Sequence, residues 1–331
     1  MKSKTVLITG CAGFIGSNTT DALLQDGYKI IGIDNLSCSD ISNLKYSLNN
    51  PRFAFNKIDI LDIKKLVSFK NKKIDIILHL AACKIPLYGN TRMTLETNTQ
   101  GTRNILELAK DNGSKLIFAS TSDVYGKSPV MPFREDSDLV LGPTKIKRWA
   151  YAASKIFDEH LILAYSEEYR IPYVILRYFN TYGPRHPVDS KRVRCGPHTI
   201  FIESILVGKP ITIYGNGKQK RCFCYIDDTV KGTLLAMENN KAIGEVFNIG
   251  NDATEISILD LAHLIIKFMG VEATQKIRFV PFKKAFKNFE DVERRIPDIR
   301  KAKSILHFEP KISNEEGIKR TIAWHKSLRN K

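Results

Sequence analysis

The first half of the chain alternates short apolar runs, rich in β-branched residues, with stretches whose apolar positions recur at helical spacing. The predicted strands are Thr5–Thr9, Lys29–Asp34, 53–58, 74–80, 115–120 and Tyr173–Tyr178. Helical patterns at 20–26 and 102–111 lie between them, and Asn112-Gly113 is a helix-stop signal after the second. Such alternation is typical of a doubly wound α/β architecture, in which a parallel sheet carries helices on both faces.

The alternation breaks after Gly183-Pro184, where short strands, turns such as Gly215-Asn216-Gly217 and isolated helices near 257–269 and 315–328 follow. We therefore predict a Rossmann-type domain over 1–183 and a smaller C-terminal α/β substrate lobe over 184–331, with room for the chain to cross between the lobes. No internal repeat of 20 to 50 residues is present.

The composition is that of a globular protein, with 43% hydrophobic and 26% charged residues in 331. No run reaches 18 apolar residues and no signal peptide precedes the first strand, so we expect a cytoplasmic protein without a membrane partner. Six cysteines, at 11, 38, 83, 195, 222 and 224, lack CxxC spacing, which predicts neither a metal site nor a disulfide framework.

The formal net charge is +16. Its basic residues are spread over separate segments near 191–194, 218–221 and 283–287, without the repeated aromatic interleaving of a base-stacking surface. This dispersion favours a solvated basic surface over a nucleic-acid site.

A glycine-rich loop follows the first strand directly and opens a helix. Its GxxGxxG spacing comprises Gly10, Gly13 and Gly16, and Phe14 and Ile15 between the last two glycines are also predicted to bind the cofactor. Glycines allow a tight turn and close approach of the backbone to a pyrophosphate, which the helix N-terminus binds through its N–H groups. The alternative is a glycine-rich turn without a ligand.

An acidic residue at the end of the second strand indicates the choice of cofactor. Asp34, 18 residues after Gly16, is placed to accept hydrogen bonds from the adenosine ribose and to repel a 2′-phosphate. This predicts NAD rather than NADP, with Asn35 beside the ribose. Asp59 and Ile60 follow the next β-like run and are predicted to flank the adenine, although Asp59 could instead cap a helix.

Tyr151 and Lys155 are four residues apart in a helical run, so their side chains share one helix face. A nearby ammonium, together with the positive nicotinamide ring, would stabilise a phenolate and make the tyrosine a usable base. The alternative is a half-buried tyrosine beside a surface lysine.

A hydroxyl and carboxyl cluster ends the predicted strand 115–120, at the edge where open α/β sheets bind ligands. Thr121 is a candidate to share the reacting proton with Tyr151, and Asp123, after Ser122, offers a carboxylate for chemistry at a neighbouring carbon. The alternative is a Ser/Thr turn with a capping aspartate.

Together these residues resemble the extended short-chain dehydrogenase/reductase family, the nucleotide-sugar epimerases, dehydratases and decarboxylases. The resemblance covers almost the whole chain and includes His79-Leu80-Ala81-Ala82, Asn98, Gly101-Thr102 and 177–185. It implies NAD contacts at Leu80, Ala81, Ala82 and Asn98, a nucleotide-diphosphate sugar as substrate, and a homodimer formed through helices near 102–111 and 151–169.

Within the family, the chain most resembles the UDP-glucuronate decarboxylase domain of the bifunctional bacterial enzyme of lipid A aminoarabinose modification. The similar stretches are 120–126, 142–143, 148–149, 217–223, 291–295 and 299–302. This likeness implies that Arg221 binds the substrate diphosphate, that Asn180 and Arg185 contact the nucleotide-sugar, and that Arg295 is catalytic. One position departs, since the decarboxylases carry glutamate where this chain has Asp123.

The sequence therefore predicts NAD-dependent chemistry through a 4-keto sugar, with UDP-glucuronate decarboxylation first. A UDP-sugar 4-epimerase acting on UDP-glucose or UDP-glucuronate is the alternative, followed by a 4,6-dehydratase. Arg221 and Arg295 could both serve only as diphosphate ligands in any of these enzymes. The competing hypothesis from a non-enzymatic class of protein is a catalytically silent NAD-binding scaffold. The intact Tyr151 and Lys155 argue against it.

Overall fold

The computed structural model describes residues 4–84, 90–186, 196–271, 275–286 and 290–329. Basic residues 191, 192, 194 and 287, which belong to the dispersed segments of the sequence analysis, lie outside these ranges, as does Cys195. The strands are β1 (Thr5–Thr9), β2 (Lys29–Asp34), β3 (Phe53–Lys57), β4 (Ile76–His79), β5 (Lys115–Thr121), β6 (Tyr173–Tyr178), β7 (Thr181–Tyr182), β8 (Ile211–Tyr214), β9 (Lys220–Cys222), β10 (Cys224–Tyr225), β11 (Glu245–Ile249), β12 (Glu255–Ser257), β13 (Ile277–Val280) and β14 (Arg294–Arg295). The helices are α1 (Phe14–Gln25), α2 (Ile63–Leu66), α3 (Thr91–Asn112), α4 (Arg148–Tyr169), α5 (Pro197–Leu206), α6 (Ile226–Glu238), α7 (Ile258–Met269), α8 (Phe282–Ala285) and α9 (Asn314–Arg329).

In the described part of the chain, seven parallel strands form one sheet in the order β3-β2-β1-β4-β5-β6-β11. The strand order reverses between β1 and β4, which creates the crevice where doubly wound folds bind nucleotides. Each predicted strand is present, with bounds shifted by up to two residues, and the predicted doubly wound fold is confirmed.

The helices that flank this sheet extend further than the apolar pattern predicted. Helix α3 begins at Thr91 because Asn90 caps it by accepting hydrogen bonds from two backbone N–H groups, and it ends at Gly113 in the left-handed conformation (φ +64°). Its first turns carry mostly polar residues, so hydrophobic periodicity could not show them. Helix α1 starts at Phe14, within the glycine loop that was predicted to open it, and so precedes the amphipathic stretch 20–26 by six residues.

The C-terminal half of the chain contributes to both parts of the molecule. Strand β11 returns to the parallel sheet beside β6, where Phe247 pairs in register with Leu176. The smaller sheets β12-β9-β14 and β13-β8 belong to the second lobe, whose core includes Phe201, Ile213 and Leu261. The cofactor sheet is therefore built from residues on both sides of position 183.

A search of the described residues for a membrane span was negative: their helices are too short or too polar to cross a bilayer.

Candidate active site

Steric contacts around the glycine loop leave no room for side chains. A Cβ on Gly16 would lie 2.1 Å from the Gly10 carbonyl oxygen, and one on Gly10, whose φ is +71°, would lie 2.9 Å from the Ala81 nitrogen. No side chain of the described residues caps helix α1 at Gly13, so the N–H groups of its first turn remain for an anion. The loop therefore provides a cradle that fits a dinucleotide pyrophosphate.

The Asp34 carboxylate is buried at the end of β2, where the glycine loop and the residues after β2 donate hydrogen bonds to it. It accepts hydrogen bonds from the Ala12 nitrogen (3.0 Å), the Leu36 nitrogen (2.8 Å) and the Ser39 hydroxyl (2.7 Å). This holds the carboxylate beside the glycine loop, at the position predicted for the ribose contact.

Asn35 and Asp59, both predicted near the adenosine, are joined by a hydrogen bond from Asn35 Nδ2 to Asp59 Oδ2 (2.8 Å). Asp59 does not cap α2, because that helix is capped by Asp62. Ile60 packs against Gly101 of α3. A Cβ on Gly101 would lie 2.3 Å from the Cδ1 atom of Ile60. The close approach of Ile60 to this helix explains why a glycine stands at position 101.

The segment after β4 is linked by hydrogen bonds, through Asn98, to helix α4. Leu80 donates its N–H to the Thr9 carbonyl (3.2 Å), and Ala81 donates its N–H to the Thr9 hydroxyl (3.2 Å), with Ala82 next along the chain. Asn98 accepts from the Cys83 nitrogen (2.8 Å) and donates to the Ser154 hydroxyl on α4 (2.9 Å). A direct hydrogen bond thus links the predicted cofactor wall to the helix of Tyr151 and Lys155.

Tyr151 and Lys155 are both buried on α4, facing the end of β5. Burial raises the pKa of the Tyr151 phenol, and the Asp123 charge raises it further, while the Thr121 hydroxyl lowers it. Burial lowers the pKa of Lys155, whose Nζ lies 4.3 Å from the ring centroid of Phe118. The structure therefore brings together the tyrosine, threonine and lysine that the sequence selected.

Asp123 lies between two arginines from distant parts of the chain. Its Oδ1 accepts hydrogen bonds from Arg295 Nη2 (2.7 Å) and Arg148 Nη2 (3.1 Å), and Arg295 Nη1 donates to the Ser122 hydroxyl (3.2 Å). Burial alone would raise the pKa of Asp123, but Arg295, Arg148 and Lys84 outweigh it and hold that pKa well below its usual range. The carboxyl is therefore ionised at neutral pH and already paired.

The pairing extends to a second aspartate. Asp291 Oδ1 accepts from Arg148 Nη1 and Arg221 Nη2, both at 2.9 Å. We call Asp123, Arg148, Arg221, Asp291 and Arg295 the arginine cluster. Three guanidinium groups against two carboxylates leave one positive charge in surplus, and Arg295 Nε has no hydrogen-bond partner among the described residues. Such a cluster is suited to an anionic ligand.

Sequence reasoning selected Arg221, Arg295 and Asp123 but not the two residues that join them. Arg148 and Asp291 appeared only within stretches of family likeness. One signal was available for Arg148, which lies three residues before Tyr151 and so on the same side of its helix.

The two remaining predicted substrate residues have different hydrogen-bond partners. Asn180, with φ +32°, donates from Nδ2 to the carbonyl of Cys222, the residue after Arg221 (3.1 Å). Arg185 instead donates from Nη2 to Asp21 on α1 (2.6 Å), and it makes no contact with the arginine cluster that the described residues record.

Comparison with known proteins places the chain in a family. Residues 6–250 match the model of the NAD dependent epimerase/dehydratase family. The chain belongs to this family and is an NAD-dependent enzyme, which confirms the predicted cofactor and the family resemblance.

Relatives match over nearly the full length. The chain is 38% identical to UDP-N-acetyl-alpha-D-glucosaminuronate decarboxylase of Bacillus cytotoxicus over 99% of both chains. It is 39% identical to UDP-glucuronate 4-epimerase of Thermodesulfobacterium geofontis, covering 97% of this chain and 95% of that one. A solved structure of UDP-glucuronic acid 4-epimerase from Bacillus cereus, with UDP-glucuronic acid and NAD, is similar with a TM-score of 0.85 at 33% identity, over 98% of this chain and 99% of that one.

Proposed function

We propose that this enzyme decarboxylates a UDP-linked hexuronic acid, with UDP-glucuronate as the first candidate substrate. The observation that carries the proposal is the buried arginine cluster beside Tyr151 and Thr121. A sugar carboxylate is the added anionic group that a surplus guanidinium charge there would bind. The decarboxylase from Bacillus cytotoxicus supports the same reaction class and adds an N-acetylated substrate as a second candidate.

The residues present fit NAD. Gly10, Gly13 and Gly16 would hold the pyrophosphate, and Asp34 the adenosine ribose, because a Cβ at the first or last glycine would meet backbone within 3 Å. Tyr151 and Lys155 would contact the nicotinamide half. When bound, NAD⁺ supplies a reversible hydride acceptor for the sugar C4 carbon.

Tyr151 is the proposed base for the C4 hydroxyl. It takes that proton while Thr121 hydrogen-bonds the same oxygen and Lys155 stabilises the phenolate. Burial raises the pKa of the Tyr151 phenol in the protein alone. The phenol can therefore act as a base only if nearby positive charge lowers its pKa. Within this chain the Lys155 ammonium would supply that charge.

Arg295 is the proposed ligand of the sugar C5 carboxylate. With a ketone at C4, the C5 carboxylate belongs to a β-keto acid, in which the bond from C5 to the carboxyl carbon breaks and its electron pair enters an enolate as CO₂ leaves. Asp123 holds Arg295 through Nη2, so the unpartnered Nε can donate to the substrate. Arg221 would bind the diphosphate, and Asn180 the nucleotide-sugar nearby.

A 4-epimerase is the second candidate. The specific observation for it is Asp123, which is shorter than the glutamate of the resembling decarboxylases and has both arginine bonds in place already. The epimerases from Thermodesulfobacterium geofontis and Bacillus cereus are relatives of comparable identity. In that reaction Arg295 would hold the carboxylate while the keto sugar turns over, and no CO₂ would leave.

A 4,6-dehydratase ranks third. It requires an acid for the C6 hydroxyl, and many dehydratases of the family carry an acidic residue directly before the position of Asp123. In this chain that residue is Ser122, whose hydroxyl accepts a hydrogen bond from Arg295. The silent scaffold is opposed by the intact Tyr151 and Lys155. The homodimer and the cytoplasmic location remain predictions from the family resemblance and the sequence.

The test is turnover of a panel of UDP-glucuronate, UDP-N-acetylglucosaminuronate and UDP-glucose with NAD⁺, following CO₂ and product mass together. Release of CO₂ with a product lighter by the carboxyl group supports the decarboxylase. Unchanged mass with inverted C4 refutes it in favour of the epimerase, and loss of water indicates the dehydratase. Arg295→Lys, which keeps the charge but loses the planar fork, should reduce CO₂ release strongly, with Arg294→Lys as the exposed neighbouring control.

A further inference from the structure

The Lys155 ammonium lacks a direct partner in its buried site. Among the described residues no side chain or carbonyl accepts a hydrogen bond from its Nζ or forms an ion pair with it, and the Phe118 ring provides only its aromatic face at 4.3 Å. Burying an ammonium without a counter-charge favours the neutral amine. Some nearby anion must therefore stabilise Lys155 if it is to work as a cation.

Two carboxylates follow Lys155 on the same helix, and one of them is committed elsewhere. Glu159 accepts from Arg177 Nε (3.1 Å) and Nη2 (2.7 Å) and from the Ser120 hydroxyl (2.5 Å). Its charge is thus neutralised by the bidentate arginine. Glu159 still raises the pKa of Lys155, but it does so less than Asp158.

Asp158 is the uncommitted carboxylate. It is fully buried three residues after Lys155, and neither of its oxygens accepts a well-formed hydrogen bond within the described ranges. A carboxylate buried in this way is costly unless a neighbouring cation offsets it. The only described cation that interacts with it as a counter-charge is Lys155.

A chain of hydroxyl and imidazole groups leads to Asp158 from the glycine-loop side. Thr9 Oγ1 lies 2.7 Å from His79 Nδ1, and His79 Nε2 lies 3.2 Å from Thr102 Oγ1 on α3. Burial, together with the Lys155 charge, lowers the pKa of His79 to about 3, so the ring is neutral. Burial raises the pKa of Asp158 to about 7, whereas the Lys155 charge and the Thr102 hydroxyl both lower it and so favour the carboxylate.

We propose that Asp158 is a positioning residue that acts through Lys155, its carboxylate keeping the Lys155 ammonium charged beside Tyr151, with Thr102 and His79 supporting that carboxylate. Asp158 touches neither cofactor nor substrate in this role. The turnover part of the inference rests on the proposed function, whereas the charge of Lys155 can be measured without any substrate.

Other titratable groups interact with this pair or with its direct neighbours Tyr151 and Glu159. They are Tyr151 and Glu159 on α4, Cys83 and His79 at the end of β4, Asp123 after β5, and Arg177 on β6. Arg177 and Asp123 are paired with other groups, and His79 is neutral. Removing Asp158 therefore leaves only Glu159, which is already paired with Arg177, among the described carboxylates that raise the pKa of Lys155.

The experiment compares wild type, Asp158→Asn, Asp158→Glu and Glu167→Gln, which removes an exposed carboxylate further along the same helix. The proteins are labelled with [ε-¹³C]lysine, and the Lys155 signal is assigned by its loss in Lys155→Arg. NMR titration of the substrate-free proteins then gives the Lys155 pKa directly. The pH profile of kcat is recorded in parallel with saturating NAD⁺.

We expect Asp158→Asn to lower the Lys155 pKa by about one unit or more, because the ammonium loses its counter-charge. One unit corresponds to a tenfold loss of proton affinity. The alkaline limb of kcat should move to lower pH by a similar amount. Asp158→Glu should restore most of the shift, and Glu167→Gln should behave as wild type.

An unchanged Lys155 pKa in Asp158→Asn would overturn the proposal, as would a uniform loss of kcat at all pH values, which is what a purely structural role predicts. Should Asp158→Asn fail to fold, Thr102→Val decides the matter. Loss of the hydroxyl should raise the Asp158 pKa and lower that of Lys155, so an unchanged Lys155 signal there is equally negative. If the titration shifts but no panel substrate turns over, only the proposed function fails.

Discussion

Removing the charge of Asp123 tests the arginine cluster directly. In Asp123→Asn the side chain keeps its shape, but Arg295 and Arg148 lose a carboxylate that accepts bonds of 2.7 and 3.1 Å. Arg148 retains Asp291, whereas among the described residues Arg295 retains only the Ser122 hydroxyl. The variant therefore leaves a buried guanidinium without a counter-charge.

The magnitude follows from burial. The side chains of Arg295, Arg148 and Asp123 are 6%, 14% and 20% exposed. Breaking a buried pair by removing one partner costs on the order of 3–5 kcal/mol. Because Arg148 keeps a partner and Asp123 is partly exposed, we expect the lower end, about 3 kcal/mol in the free energy of unfolding.

The pH dependence has a definite sign. The pKa of Asp123 is held below its usual range, so its stabilisation is present above the unfolded pKa of about 4 and is lost as pH falls through the folded value. The difference between wild type and variant should be constant from about pH 5 to 8 and should shrink only in more acidic solution.

Urea unfolding followed by circular dichroism measures this difference, with Asp136→Asn as the matched control. Asp136 also pairs with an arginine, Arg134, but the two side chains are 70% and 56% exposed. That control should change stability by no more than about 0.5 kcal/mol. If Asp123→Asn is no less stable than the control, the cluster does not bury its charges as described and the reasoning is refuted.

Three further variants test the cofactor and catalytic residues. Gly16→Ala would bring a Cβ to 2.1 Å from the Gly10 carbonyl oxygen, so NAD binding measured by calorimetry should be lost. The control Gly196→Ala, whose Cβ would lie 3.8 Å from the nearest atom, should bind NAD normally. Normal binding by both variants would contradict the steric argument. Asp34→Asn should weaken NAD binding about tenfold and reduce the preference over NADP, and an unchanged ratio of the two affinities would remove the ribose role. Tyr151→Phe should retain NAD affinity while turnover falls by about 10² or more, and substantial residual turnover would exclude Tyr151 as the base.

Local features of the site could be predicted because their geometry is set within a few residues. The glycine loop required only its spacing between a strand and a helix, and Asp34 only its place at the end of β2. Tyr151 and Lys155 needed nothing beyond the four-residue helical repeat. The parallel sheet also followed from the alternation of strands and helices, because a helical crossover returns each strand to the same sheet in the parallel direction.

Long-range features were not predictable in the same way. Strand β11 joins the parallel sheet from position 245, although the break in the alternation of strands and helices after 183 predicted mainly a separate lobe there. Arg148 and Asp291 are 143 residues apart and meet only after folding. Their pairing leaves no periodic trace in the sequence, so they looked like ordinary charged residues.

The sequence by itself determined the doubly wound fold, the family and NAD, and it selected the tyrosine, lysine and threonine of the proposed catalytic centre, because each depends on spacing along a single element or on the order of elements. Only the tertiary structure decided which charges meet at the strand edge and that Arg185 pairs with Asp21. It also decided that Asp158 lies buried, with Lys155 as its counter-charge among the described residues. The physical reason is that the energy of a charge depends on its burial and on partners brought from distant segments, and neither exists before the chain has folded.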